Sequence, residues 1–482
     1  MFKKFRLRVL SLVLTLVLIF GSLGTGVSAQ EGYTYDFETN CKSLFMFSLD
    51  SGTVVYSMNA DEERAMASLT KIMTYIVAYE NIPDVENTVV TVNPRVETEL
   101  IGTGSSLAGI NIGEELTVLQ LLHLMMIPSG NDAALALQLY YDEFVAEKED
   151  AGEAADEVSA EGEDEGEYEP IDYEKSPFIA LMNKKARELG CTNTHFMNPH
   201  GLHHEEHYST ARDLAKITEY ATGLPYFMEM TGSRAYTLPA TNIVDEPREI
   251  TSTNRMLSQY MDDGAYFYTY SNGIKTGSLN ESGYCIAASA TYEGYTYIVI
   301  ALGSPMIDEE GNHIDYHGEM VDARTLFRWA FTQLSFKNIY LEGDLVADVA
   351  LQYAWEQDRL QVVTAKNVSA ILPQDVAVNS IVTELDLPDS IQAPVKKGEV
   401  IGKATLSYAG EVIGEVDLVA AESVQRSEII QTIETSKEVV TSPWFLFIAS
   451  AIIVVLFFYI VTIVIYNRRK KRMRRVRKYR DL

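Results

Sequence analysis

Trp444 to Tyr466 is an uncharged, largely apolar run of 23 residues, and it constrains this chain more than any other feature. As a helix it would be ~34 Å long against a hydrocarbon core of roughly 30 Å, so residues 444–466 are expected to span a membrane. Arg468 to Arg480 holds ten Lys or Arg, and such a cluster stays on the cytoplasmic side, with lipid headgroups as its neighbours. Residues 467–482 therefore read as a basic cytoplasmic tail, and what precedes the span as an extracytoplasmic body. At the other end, Lys3, Lys4, Arg6 and Arg8 precede an apolar stretch from Val9 to Phe20 and the small residues Val27-Ser28-Ala29. That is the pattern of a signal peptide over residues 1–29. The expected location is the cell membrane, crossed once.

The overall charge of −29 hides an asymmetry. The first 29 residues carry +4 and the tail from Asn467 carries +9, which leaves −42 on the outer portion. Such a surface excludes nucleic acid as a partner. Cys41, Cys191 and Cys285 are too few and too scattered for a disulfide framework, and they read as buried thiols.

Alternation over Ser43 to Ser48, a break at Asp50-Ser51-Gly52 and the run Thr53 to Tyr56 predict a β-hairpin. Helices are expected over Ser68 to Glu80, Val118 to Ile127 and, after the Pro128-Ser129-Gly130 break, Asn131 to Tyr141. This order suggests a mixed sheet with an inserted helical cluster. Residues 147–174 carry fourteen Asp or Glu against the single Lys148, too little apolar surface to offset the ordering entropy, so a disordered acidic insertion is expected. Its acids lack the spacing of an EF-type calcium loop. Helix resumes at Pro177. After Trp329, short β-rich runs (Leu360 to Thr364, Val376 to Val378, Glu399 to Ile401, Ala404 to Tyr408) predict a small all-β domain, and 434–443 a linker to the span.

Three short elements carry chemistry. Ser68-Leu69-Thr70-Lys71 opens a helix, and residues three apart share one face, so the hydroxyl and the amine can meet. Apolar neighbours Leu69, Ile72, Met73, Ile76 and Val77 would partly desolvate Lys71 and favour the neutral amine that can take a serine proton. Ser129-Gly130-Asn131 sits in a break between helices, where its side chains can enter a cleft. Lys275-Thr276-Gly277, before a predicted strand from Gly283 to Thr291, supplies a cation, a hydroxyl and close access to a backbone edge. Singly, each has a bland explanation in helix capping or an exposed strand. In this order they form the set shared by penicillin-binding proteins and class A β-lactamases.

The chain resembles the D-alanyl-D-alanine carboxypeptidase family over roughly residues 40–425. Besides the three elements, Asn198-Pro199-His200-Gly201-Leu202, His207-Tyr208-Ser209-Thr210-Ala211-Arg212-Asp213-Leu214-Ala215 and Gly273-Ile274-Lys275-Thr276-Gly277 look like that family's signatures. Ala393 to Gly402 resembles the small β domain that follows its catalytic domain. The resemblance implies a mixed α/β fold: a penicillin-binding, β-lactamase-like catalytic domain over 30–335, with an antiparallel sheet flanked by helices plus a helical lobe, then a small β-sandwich domain over 336–433.

It also implies a serine hydrolase that removes the terminal D-alanine from peptidoglycan stem peptides and is acylated by β-lactams, without a cofactor. On that resemblance Ser68 is the nucleophile, Lys71 its base, and Ser129 helps protonate the departing amine. Asn131 holds the substrate amide, Lys275 and Thr276 bind the terminal carboxylate beside Gly277, and the N–H groups of Ser68 and Ser278 form the oxyanion hole. A β-lactamase and a catalytically quiet wall-binding protein are the alternatives. Where many members carry a carboxylate-reading arginine, this chain has His317-Gly318-Glu319-Met320, and the nearest arginine is Arg324. His200, His203, His204 and His207 with Glu205 and Glu206 invite a zinc site, but Pro199 and Gly201 interrupt any helix there and no His-Glu-x-x-His string occurs, so no metal is expected.

Overall fold

The computed structural model describes Tyr33 and residues 35–153, 170–308, 310–408 and 411–478. The expected signal peptide, residues 154–169 of the acidic insertion and the last four residues of the tail lie outside the described residues. The chain divides into two compact units, Met1–Phe336 with Ile371–Asp375, and Lys337–Ala370 with Val376–Leu482.

In the first unit, β1 (Ser43–Ser48) and β2 (Val54–Met58) form the expected hairpin, with Gly52 in the left-handed conformation at its turn. They join β3 (Ser271–Leu279), β4 (Gly283–Tyr292) and β5 (Tyr295–Ser304) in an antiparallel sheet of order β2–β1–β5–β4–β3. Both faces are covered, so the central strands are apolar throughout instead of alternating with polar residues. Phe45, Phe47, Cys285, Ala287, Ile298 and Ile300 belong to the core shared with the helical lobe. Leu44, Met46, Ile286, Ala288, Val299 and Ala301 pack with Ala323, Leu326 and Phe327 of α6 (Gly318–Gln333).

The helical lobe comprises α1 (Thr70–Asn81), α2 (Val118–Met126), α3 (Asn131–Glu153), α4 (Pro177–Glu188) and α5 (Ala211–Thr222). Side chains fix several of its ends. Thr117 and Gln120 close a capping box on α2, and the hydroxyls of Ser176 and Thr210 cap α4 and α5, each satisfying an otherwise unpaired N–H. Helix α3 runs on past Tyr141 into the segment expected to be disordered, because Ala, Glu and Lys favour helix even where no apolar stripe needs covering. Beyond the undescribed stretch, Ile171 and Tyr173 pack against the lobe core.

In the second unit, β6 (Leu345–Gln352), β7 (Arg359–Thr364), β8 (Val382–Asp386), β9 (Ser390–Gln392), β10 (Val400–Tyr408) and β11 (Glu411–Ala420) form one sheet of order β8–β10–β11–β7–β6–β9. Only β6 and β9 run parallel. Val349, Val362, Leu406, Val416 and Leu418 build its main core. The run Val376 to Val378 is not a strand: it leads into a 3-10 turn at Val378–Ser380, and Val368–Pro373 is the strand instead. The exposed Val378 side chain has no core to cover.

The segment expected as a linker is mostly helical, within α7 (Glu428–Thr441). It contains no Gly, and Pro443 comes only at the first position of α8 (Pro443–Lys478), where its missing N–H costs nothing. The stretch Pro443–Lys471 of α8 is long and apolar enough to cross a membrane, and none of its most apolar window is buried.

Candidate active site

Ser68 lies in a single 3-10 turn, Ala67–Leu69, that leads into α1. Ala67 adopts φ +46, an uncommon conformation for a residue with a Cβ. Two glycines allow other backbones to close on this turn. A Cβ on Gly201, itself at φ +91, would lie 2.0 Å from the Ala67 carbonyl oxygen, and one on Gly277 would lie 3.1 Å from Ser68 N. The edge strand β3 thereby reaches the N–H of Ser68.

Every residue from Thr70 to Ala78 of α1 is buried, and Lys71 is fully so. Its Nζ lies 2.8 Å from Ser68 Oγ and donates to Asn131 Oδ1 at 2.6 Å and to the His200 carbonyl at 2.8 Å. Burial holds its pKa well below the ordinary lysine value, and the charge on Lys275 adds to that, while Asp132 opposes it. This is the combination expected of a lysine that serves as a base.

Ser129, also buried, sits at φ +67 between α2 and α3. Its Oγ accepts from Lys275 Nζ at 2.7 Å, and the same amine donates to the Thr276 carbonyl at 2.9 Å. Lys275 pairs with Ala287 in the sheet, which points its side chain toward the helical lobe while Thr276 points to the other face. Burial lowers its pKa to about 7. Asn131 N donates to the Ser106 carbonyl. The carboxylate of Asp132 accepts from the N–H groups of Ala108 and Gly109, both at 2.9 Å, and pins that loop beside Asn131.

The structure thus joins Ser68, Lys71 and Asn131 in one hydrogen-bonded cluster and Ser129, Lys275 and Thr276 in a second, with Gly277 against Ser68. Ser278 is exposed on β3, in register with Tyr284.

Sequence reasoning missed three contributors. The His200 carbonyl lies within a family signature, Asn198 to Leu202, to which no role was attached. Asp132 follows Asn131 directly. Thr253, whose hydroxyl lies 2.7 Å from that of Thr276, carried no signal.

His200 and His207 are parts of the framework, whereas His203 and His204 are exposed. His207 Nδ1 accepts from Met197 N at 3.0 Å, and its Nε2 lies 2.7 Å from Thr70 Oγ1. Since that hydroxyl donates to the Ala67 carbonyl, the ring must donate from Nε2. It is neutral, with its pKa lowered to about 3 mainly by burial. His200 is likewise buried, and its Nδ1 accepts from Leu202 N. His317 bonds Glu319 at 2.9 Å, and Arg324 donates to the Ala265 carbonyl. The three cysteines are buried free thiols, and burial raises the pKa of Cys285 to about 12.

A serine held by a desolvated lysine, opposite a second serine–lysine pair on a sheet edge, defines the class of active-site serine enzymes that work through an acyl intermediate. The family model for D-alanyl-D-alanine carboxypeptidase matches residues 28–146 and 171–306, and that for the penicillin-binding protein 5 C-terminal domain matches residues 335–426. The chain belongs to the D-alanyl-D-alanine carboxypeptidase family. It is 28% identical to D-alanyl-D-alanine carboxypeptidase DacF of Bacillus subtilis, over 88% of this chain and 96% of the relative. It is 33% identical to the enzyme of Streptomyces sp. K15, over 53% of this chain and 78% of the relative. Penicillin-binding protein 5 from Haemophilus influenzae has a similar fold, with a TM-score of 0.62 at 23% identity, covering 82% of this chain and all of that one.

Proposed function

We propose that the protein removes the terminal D-alanine from peptidoglycan stem peptides through an acyl-enzyme on Ser68. The observation that carries this reading is the surroundings of the Lys71 amine. A neutral amine has two N–H bonds and one lone pair. Asn131 Oδ1 and the His200 carbonyl are acceptors only, so they take the two N–H bonds and leave the lone pair aimed at Ser68 Oγ. Ser68 can then donate its proton as it attacks the carbonyl carbon between the two D-alanines.

The N–H groups of Ser68 and Ser278 stabilise the oxyanion, a role supported by the close approach of Gly277 to Ser68. As the tetrahedral intermediate collapses, the C–N bond breaks, and Ser129, bonded to Lys275, relays to the departing D-alanine amine the proton that Lys71 took from Ser68, which leaves Lys71 neutral again. Lys275 and Thr276 hold the terminal carboxylate by charge-assisted hydrogen bonds, and Asn131 also holds the substrate amide. Water, deprotonated by Lys71, then hydrolyses the ester. β-Lactams acylate the same serine.

Residues 444–466 anchor the body to the cell membrane from outside, with 467–482 in the cytoplasm. The length and apolarity of α8 support the span, and the ten basic residues support the orientation.

Full-length protein in detergent, incubated with a fluorescent penicillin, tests the assignment. Stable labelling of wild type and none of Ser68→Ala is expected. Rapid loss of the label would favour a β-lactamase, and no labelling would end the acyl-enzyme reading.

A further inference from the structure

Thr253 touches both walls of the groove, although nothing in the sequence singled it out. Its N–H donates to the Ile127 carbonyl at 3.2 Å, two residues before Ser129, and its hydroxyl lies 2.7 Å from Thr276 Oγ1 on β3. The backbone that carries it is fixed on both sides. Ser252 N donates to the Arg234 carbonyl, Ser252 Oγ accepts from Asn254 N, and Asn254 Oδ1 accepts from Met256 N. Ser252 and Asn254 are buried, whereas Thr253 between them is exposed. An exposed side chain in so well-fixed a turn is presented to whatever enters the groove.

The hydroxyl pair has a directional consequence. Each threonine hydroxyl has one proton to give and lone pairs to accept with. A carboxylate only accepts, so when Thr276 gives its proton to a substrate carboxylate, the 2.7 Å contact survives only if Thr253 donates to Thr276. We propose that Thr253 is a positioning residue that orients the Thr276 hydroxyl toward the carboxylate of the substrate, and so sets the preference for ligands with a free carboxylate. A donor feeding the donor strengthens the bond to the anion. The Thr276 carbonyl is held separately by Lys275, which leaves the hydroxyl as the part Thr253 governs. The inference rests on the acyl-enzyme reading above and deepens it.

The test compares acylation of the full-length protein by benzylpenicillin with acylation by its methyl ester, which lacks the carboxylate, in wild type, Thr253→Val and Thr253→Ser. Valine keeps the shape and removes the hydroxyl; serine keeps the hydroxyl. Wild type is expected to favour the free acid, and the valine variant to lose on the order of tenfold of that preference, with serine within about twofold of wild type. For a D-Ala-D-Ala peptide the same valine change raises KM more than it lowers kcat. Equal losses on acid and ester, an unchanged ratio, or a serine variant that behaves like valine would overturn the proposal while leaving the Ser68 assignment standing. Wild type inert to both compounds would overturn the acyl-enzyme reading and this inference with it.

Discussion

Lys275 Nζ donates to Ser129 Oγ at 2.7 Å across 146 positions of sequence, and this bond joins the sheet edge to the helical lobe. Both partners are buried, so the amine has lost its hydration and its pKa falls to about 7. That places its titration in the working pH range.

The first prediction is a pH profile. A carboxylate needs a charged Lys275, so kcat/KM for peptides with a free carboxylate should fall as pH rises through about 7. A bound carboxylate favours the charged amine, so the basic limb of kcat, which reports the complex, should lie above that of kcat/KM. Activity on the acid side requires neutral Lys71, a form that the downward displacement of its pKa favours. Coincident basic limbs in the two profiles would count against Lys275 as the carboxylate's partner.

The same displacement bears on stability, with its sign set by linkage. Below about pH 7 Lys275 is charged in both folded and unfolded chain, and burying that charge destabilises the fold. Between about 7 and the ordinary lysine value of 10.5, the unfolded chain holds more of this proton than the folded one, so stability rises with pH. Lys275→Met should remove this contribution, which amounts to a few kcal/mol. Denaturant midpoints of wild type and variant at pH 6 and pH 9 measure it, and the gap between the two proteins should shrink or change sign in favour of wild type at the higher pH.

Ser68 and Lys71 were legible because three residues on a helix is a fixed distance, and the apolar neighbours of Lys71 announced its burial. Ser129 and Lys275 were legible only as members of a set. The His200 carbonyl and the Thr253 hydroxyl were not, because a backbone acceptor has no residue type, and a lone threonine looks like any other. The left-handed backbone at Ala67 and Ser129 was equally silent, since neither residue is a glycine. In the fold, the first hairpin and the helices beginning near Ser68, Val118 and Asn131 follow from pattern, whereas 434–443, expected as a linker, contains nothing before Pro443 that stops a helix.

Asn131→Asp should separate the two roles of that side chain. A carboxylate in place of the amide, with its oxygen still 2.6 Å from Lys71 Nζ, would stabilise the ammonium form and raise its pKa. Penicillin acylation should drop at neutral pH and recover as pH rises, with the acidic limb displaced upward by at least about one unit. Asn131→Ala, which removes an acceptor without adding charge, should lose activity without that recovery. Matching pH profiles for the two variants would mean that Asn131 does not control the state of Lys71.

Gly201 and Gly277 both press on the Ser68 turn, yet alanine should act differently at each. At Gly201 the new Cβ meets the Ala67 backbone oxygen at 2.0 Å in a residue already at φ +91, so overlap and strain add. Gly201→Ala should cost about 3 kcal/mol or more, visible as a lower melting temperature. At Gly277 the Cβ would sit 3.1 Å from Met66 O, Ser68 N and the Ala67 side chain, tight but open to relief by a small outward shift of an edge strand. That shift draws the Ser278 N–H away from Ser68, so Gly277→Ala should keep most of the stability while slowing penicillin acylation by about a hundredfold, the scale of a lost oxyanion donor. Thermal melts and labelling rates on the same preparations decide it; a Gly277→Ala chain that labels at the wild-type rate would rule out an oxyanion hole between Ser68 and Ser278.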